Sequence, residues 1–353
     1  MRINRRFRSL TIALTCAALI AAPFHSAVGC TRILWNDNKL AVVVGRTMDW
    51  PESTEPVITV FPRGMQRDGG RFGPAVVVTE NPARWTSRYG SIVTTIYGVG
   101  TADGFNEKGL GAHMLFLTAT DFGPRDPGKR GIQAGLWAQY LLDNAATVAE
   151  ALELMKQIQP VLVTYRGHNS TVHLAIEDAT GDSAIIEYLG GQPLVHHGRQ
   201  FTVMTNDPPF DQQLANLARF DFKDATRNTP LPGNVNPLDR FVRSAFFLNK
   251  LPEPKSQREA VAGILAIARN ASVPFGAPNY APGTVYNTEY RTAMDLTSRR
   301  YFFELTTAPN VIWMDLSRFN LVAGAPVMTL GPDNIDLSGN VTGKFQKAKK
   351  APF

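Results

Sequence analysis

Ala27-Val-Gly-Cys-Thr-Arg-Ile-Leu-Trp35 joins two unlike stretches of sequence, and the join falls at Cys30. Upstream, Met1–Ser9 carries Arg2, Arg5, Arg6 and Arg8 with no acid. Leu10–Ala22 is apolar, and Ala27 and Gly29 place small side chains at −3 and −1 of a cleavage site. This is the pattern of a secretory signal peptide over residues 1–29. Cleavage there makes Cys30 the first residue of the mature chain, with a thiol and a free α-amino group on one residue. An α-amine titrates near ~7.7–8, so part of it is free base at neutral pH. It can take the thiol proton as a histidine does in a Cys–His pair.

A second chemistry fits the same four residues. Ala27-Val28-Gly29-Cys30 resembles a bacterial lipobox, in which the cysteine is acylated and anchors a binding protein to a membrane. The usual Leu at −3 is absent, and no polar Ser/Gly-rich tether follows. The chain runs directly into the strand pattern Thr31–Trp35.

Downstream of Cys30 the composition is that of a globular protein, with 44% hydrophobic and 19% charged residues. The formal charge of +6 overstates the mature chain: without its four leader arginines, 32 basic residues face 30 acidic ones. No basic stripe with interleaved aromatics occurs, so nucleic-acid binding is not implied. The basic run Lys344–Lys350 reads as a solvated tail. No stretch after Ala22 approaches the ~18 apolar residues of a membrane span. Cys16 leaves with the leader, so Cys30 is the lone cysteine of the exported chain and no internal disulfide can form.

Along the chain, strands are expected at Cys30–Leu34 and Leu40–Arg46, the second a continuous apolar run buried on both faces. Arg46 and Asp49 are expected to project from its end. Further strands are expected at 56–61, 91–98 and 110–117, with a loop over 62–88 and a turn over Ala102–Gly109. A helix is expected over Gly131–Gln157 with a break near Asn144, then a hairpin of 171–177 and 183–188 and a short strand at 201–205. Helices are expected near 238–247, with Arg240 in the first turn, and over 257–270. A three-strand meander (288–297, 300–306, 311–316) follows. No internal repeat or linker divides residues 30–325, and residues 326–353 read as a C-terminal strand and tail. Strands and helices in separate runs argue an α+β layered fold.

Several stretches together resemble the choloylglycine hydrolase / penicillin V acylase family of N-terminal-nucleophile hydrolases. They are Cys30-Thr31, Gly45-Arg-Thr-Met-Asp-Trp50, Ala102-Asp-Gly-Phe-Asn-Glu-Lys-Gly-Leu-Gly111, Met204-Thr-Asn-Asp-Pro-Pro-Phe-Asp211, Asp239-Arg-Phe-Val-Arg243 and Thr288–Asp295 with Tyr301-Phe-Phe303. The resemblance implies a four-layer αββα fold and hydrolysis of a linear amide in a small N-acylated molecule, without metal or other cofactor. By position it makes Cys30 the nucleophile, with its own α-amine as base. Arg46 would stand beside the thiolate, Asp49 would hold the α-amine, Asn206 would donate to the oxyanion, and Arg240 would support the group electrostatically. Phe116 stands where many members carry an oxyanion-hole Asn or Tyr, so a second donor must be a backbone N–H or come from elsewhere. Trp50, Phe116 and Met114 would line the acyl site, suiting a planar apolar or fatty acyl group. With the leader, this pattern resembles the Gram-negative branch, associated with penicillin V and N-acyl homoserine lactones, more than the bile-salt hydrolases. The leader implies a periplasmic or secreted location, and the resemblance a homotetramer.

Other motifs lead nowhere. Gly123-Pro-Arg-Asp-Pro-Gly-Lys-Arg130 has P-loop spacing but lacks the final Ser/Thr and a preceding strand. His196-His197 has no companions at zinc-like spacing and reads as an exposed loop. Gly-x-Ser-x-Gly and Ser-x-x-Lys are absent.

Overall fold

The computed structural model describes residues 29–279 and 285–353, so the leader expected over 1–29 lies outside it except for Gly29. The main strands in the first half are β1 (Cys30–Trp35), β2 (Val43–Trp50), β3 (Val57–Phe61), β4 (Ser91–Ile96), β5 (Gly100–Asn106) and β6 (Gly111–Phe116). Helices α1 (Trp137–Asn144) and α2 (Val148–Met155) follow, then β7 (Val172–Glu177), β8 (Ser183–Leu189), β9 (Gln192–His197) and β10 (Val203–Thr205). Next come α3 (Phe210–Leu217), α4 (Pro237–Lys250) and α5 (Gln257–Ala271). The chain closes with β11 (Val285–Asp295), β12 (Arg300–Leu305), β13 (Ile312–Asp315) and β14 (Met328–Leu330).

Among the described residues these strands form two large, mainly antiparallel sheets. One runs β10-β1-β2-β11-β12-β13 and the other β9-β8-β7-β6-β5-β4-β3-β14, each ending in a two-residue strand from the C-terminal segment. Alternate residues of a strand face opposite sides, and the core follows that rule. Ile33 and Val43 join Ile264, Leu265 and Ala268 of α5 beneath the first sheet. Their neighbours Leu34 and Val44 join Ile58, Ile92, Phe105 and Leu115 of the second sheet in the inter-sheet core. On the far side, Ala112 and Met114 pack with Trp137, Leu141 and Leu142 of α1. The layers are therefore helix, sheet, sheet, helix, the αββα arrangement expected. The continuous apolar run Ala41–Val44 is what a strand needs when both its faces are covered. No helix among the described residues is long and apolar enough to cross a membrane.

The structure corrects several expectations. β2 does not stop at Arg46 but continues to Trp50, because β1 and β11 pair with it on either side along that length. Arg46 and Asp49 therefore lie within the strand, not beyond its end. Ala102–Asn106, expected as a turn, belongs to β5 in the middle of the second sheet, hydrogen-bonded to β4 and β6. Its small residues hide the strand pattern and serve close packing: a Cβ on Gly104 would collide with the Ile92 carbonyl oxygen. The helix expected from Gly131 begins at Trp137, because Arg130–Gln133 pairs in parallel with Ile158–Val161; the break at Asn144 is present. The 62–88 loop contains short two-stranded ribbons. His196 and His197 lie on the edge strand β9, His196 packed against Phe201 and Phe210 and His197 bonded to Asp182 at 2.8 Å.

Candidate active site

Cys30 opens β1, flanked by β10 and β2, and is paired with Met48. Strand alternation sends its side chain to the inter-sheet face and that of Thr31 to the helix face. Cys30 is 2% exposed. Its Sγ lies 3.6 Å from Arg46 Nη2 and 3.8 Å from Met48 Sδ, and the same Nη2 reaches Met48 Sδ at 3.5 Å. Arg46 Nη1 donates to the Ala102 carbonyl at 2.7 Å. Burial works against the charged form of Arg46, but the acidic groups of Cys30, Tyr290 and Asp103 outweigh it and hold the guanidinium more firmly protonated than a free arginine.

Asp49 occupies the other face. The pairing of β2 with β11 shifts register between Met48 and Asp49, and the Asp49 carboxylate joins Thr47, Thr31 and Arg240 over α4. It accepts from Thr288 Oγ1 at 2.5 Å, from Arg240 Nη1 at 3.0 Å and from Thr47 Oγ1 at 3.1 Å. Burial pushes the Asp49 carboxyl up, and Arg240, Thr288 and Thr47 pull it back. Arg240 is placed by the start of α4, where Asn236 caps the helix by accepting from the Asp239 N–H at 2.9 Å and Pro237 begins it. Arg240 also donates to Thr31 Oγ1 at 2.6 Å, the Val235 carbonyl at 2.9 Å and Asn206 Oδ1 at 3.4 Å.

Asn206 joins the two faces. It follows β10, and its Oδ1 accepts the backbone N–H of Cys30, while its Nδ2 donates to the Phe116 carbonyl at 2.6 Å. The nitrogen of Cys30 is thus held by Asn206 and not, as expected, by Asp49, whose hydrogen bonds go instead to Thr47, Arg240 and Thr288 on the other face of the sheet. An amide nitrogen carries two N–H groups, so Phe116 leaves one for another acceptor. All five residues expected at the centre converge, with the thiol and Arg46 on one side of the sheet and Asp49 and Arg240 on the other.

Next to Phe116 opens a cavity of about 120 Å³, lined by Trp50, Met114, Phe116, Ile96, Tyr97 and the 163–172 segment. All three residues expected at the acyl site line it. Trp50 Nε1 donates to Tyr97 Oη at 2.9 Å, and its ring lies 6.1 Å edge-on from Phe116 and 4.9 Å from His168. Among the described residues no group of three or more His, Cys, Asp or Glu could hold a metal ion.

The model of the linear amide C–N hydrolases, choloylglycine hydrolase family, matches residues 30–343. The chain belongs to that family. It is 36% identical to the penicillin V acylase of Pectobacterium atrosepticum over 99% of this chain and 98% of that protein. The penicillin V acylase structure from Agrobacterium tumefaciens superposes with a TM-score of 0.80 at 37% identity, covering 92% of this chain and 98% of that one. A bile salt hydrolase/transferase of Clostridium perfringens is 25% identical over 83% of this chain and 94% of its own length.

Within this family frame, some contacts at the centre carried no sequence signal of their own. Thr288 and Thr47 bind Asp49 through hydroxyls that spacing cannot reveal. Asp103 faces Arg46 from the opposite sheet at 3.9 Å; its motif is visible in the sequence, its direction is not. Gln213, buried on α3, donates to the carbonyls of Thr205, Asn206 and Pro208 at 3.2, 2.9 and 2.7 Å and so fixes the backbone on both sides of Asn206.

Proposed function

We propose that the chain is an exported cysteine amidase that hydrolyses the side-chain amide of small N-acylated molecules. The observation that carries this is Cys30 Sγ at 3.6 Å from Arg46 Nη2, with Asn206 on the Cys30 nitrogen and an apolar cavity beyond Phe116. Removal of residues 1–29 turns that nitrogen into an α-amine, which takes the Sγ proton. The thiolate, beside Arg46, attacks the substrate carbonyl carbon; an S–C bond forms and the π pair moves to oxygen. The free N–H of Asn206 donates to that oxyanion, a contact worth ~2.7–4 kcal/mol of barrier. The ammonium returns its proton to the leaving nitrogen as the C–N bond breaks. Water, giving a proton to the same amine, then cleaves the thioester, releasing the acid and the thiol. The chemistry needs no metal or cofactor.

The cavity favours an acyl group of penicillin V type. Its 120 Å³ is near the ~150 Å³ that admits one benzene ring in a buried protein cavity, enough for an aryl ring or a short stretch of acyl chain. N-acyl homoserine lactones are the second candidate class. The cavity is half open, so it bounds only the part of an acyl group that sits inside it; conjugated bile salts, whose four-ring acid would extend past it, rank behind both. The Arg46, Asn206 and Arg240 side chains gathered around Cys30 support the enzyme over the lipid-anchored binding protein, which has no use for them. A periplasmic or secreted location and a homotetramer complete the proposal.

The test is intact mass and N-terminal sequencing of the exported protein, with a panel of phenoxyacetyl, acyl-homoserine-lactone and bile-salt amides. The expected mature chain starts at unmodified Cys30, and Cys30→Ala folds but is inactive. Amidase activity in Cys30→Ala, or a lipid on Cys30, would overturn the proposal.

A further inference from the structure

Arg46 and Cys30 stand on the inter-sheet face, and the second sheet answers them with a carboxylate. Asp103, fully buried on β5, sets Oδ1 3.9 Å from Arg46 Nη1. The neighbouring Ala102 carbonyl accepts from that same Nη1 at 2.7 Å. Asp103 is itself fixed by the first sheet: Thr292 of β11 donates to Oδ2 at 2.7 Å and Tyr301 of β12 donates to Oδ1 at 3.2 Å. Behind it, His113 bonds Glu177 through Nε2 at 2.8 Å and turns Nδ1 to 3.9 Å from Asp103 Oδ2.

A buried cation without compensation costs several kcal/mol. While Cys30 keeps its proton, the sulfur supplies no countercharge, so the resting enzyme must compensate Arg46 elsewhere. Asp103 is the acid that does so at close range. The guanidinium is a rigid planar fork, so fixing Nη1 on Ala102 and Asp103 also fixes where Nη2 points, and Nη2 points at the Cys30 sulfur. We propose that Asp103 is a positioning residue that holds the far arm of Arg46 so that the near arm stays on Sγ. This rests on the assignment of Cys30 as nucleophile.

Two effects of Asp103 have opposite signs, and that makes the inference testable. Through Arg46 it favours thiolate chemistry; through its own negative charge it opposes a thiolate. Asp103→Asn keeps the shape and its partners Thr292 and Tyr301. Thr292→Val keeps the charge and loosens the carboxylate. Each is made in the mature protein, and two quantities are read: the rate at which iodoacetamide alkylates Cys30 at neutral pH, and steady-state hydrolysis of a phenoxyacetyl amide. Asp103→Asn is expected to slow alkylation and to lower kcat by about 10- to 100-fold, as misplacement of a catalytic group by an ångström does. KM stays within about threefold, as for a group that does not touch bound substrate. Thr292→Val moves both rates the same way by less, and it carries the test if Asp103→Asn does not fold. In an Arg46→Met background, Asp103→Asn slows alkylation no further.

Alkylation that is unchanged or faster in Asp103→Asn overturns the inference, as does an additive effect in the Arg46→Met background. So does a kcat loss matched by loss of alkylatable sites. The alkylation rate needs no turnover, so it tests Asp103 separately from the amidase proposal, which stands or falls on Cys30→Ala.

Discussion

Replacing Arg240 by Met should cost the protein stability in a way that depends on pH. Arg240 is fully buried and gives one nitrogen to Asp49 at 3.0 Å and Thr31 at 2.6 Å, with further bonds to Val235 and Asn206. Met fills much of the volume and supplies no charge, so Asp49 is left with only the hydroxyls of Thr47 and Thr288. Breaking one side of a buried ion pair costs about 3–5 kcal/mol, which in a chain of this size corresponds to a fall in Tm of about 4–7 °C. The Asp49 carboxyl is already raised by burial, with Arg240 the main opposing influence; without Arg240 it rises further. Between the unfolded carboxyl value of about 3.9 and that raised folded value, the folded state binds more protons than the unfolded one, so stability falls as pH rises. The deficit of Arg240→Met should therefore be smallest near about pH 4, where only the bonds to Thr31, Val235 and Asn206 are lost, and full at alkaline pH. Urea unfolding of wild type, Arg240→Met, Asp49→Asn and the double variant across this range measures it. The double variant should be more stable than the sum of the singles predicts, because the uncompensated carboxylate is gone. A pH-independent deficit, or strict additivity, would refute the reasoning.

Two further outcomes are expected. Glu177, buried against His113 and Arg32, keeps a depressed pKa of about 2: burial would raise it, and those two partners more than reverse that. A depressed carboxylate stabilises the fold above its unfolded value of about 4.3 and loses that contribution as pH falls through the folded value. Glu177→Gln should thus lower stability at neutral pH and flatten the acid limb of the unfolding curve, measured by thermal melts from neutral pH downward; an unchanged acid limb would exclude Glu177 as a source of acid unfolding. Trp50→Ala removes a wall of the apolar cavity beside Phe116 and, on the proposed function, should raise KM for a phenoxyacetyl amide by about 10- to 100-fold, the cost of about 1.5–3 kcal/mol of lost apolar contact. It should move kcat much less, and an effect confined to kcat would place Trp50 at the chemistry and not in the acyl site.

Much of the centre is legible along the chain because its residues sit in short motifs that local chemistry marks. The stretch from Leu238 reads as a capped helix with Arg240 in its first turn. The apolar run into Gly45-Arg46 reads as a buried strand. Legibility fails where a strand is built from small and polar residues. Ala102–Asn106 shows no alternation of apolar side chains, because glycine and alanine are needed to let its neighbours approach, and it reads as part of a turn over Ala102–Gly109. A helix start at Gly131 is too early because Arg130–Gln133 owes its extended form to a partner, Ile158–Val161, supplied by later chain.

The sequence by itself determined the α+β class and the family, since strand and helix periods, turn residues and motif order are all local properties. Only the tertiary structure decided which face each residue serves. Arg46 and Asp49 are three residues apart on one strand, yet Arg46 meets the thiol between the sheets and Asp49 meets Arg240 beneath α4. The pleat sends them to opposite sides, and sheet pairing, which brings distant segments such as Thr288, Asn206 and Asp103 beside them, depends on contacts that no local stretch encodes.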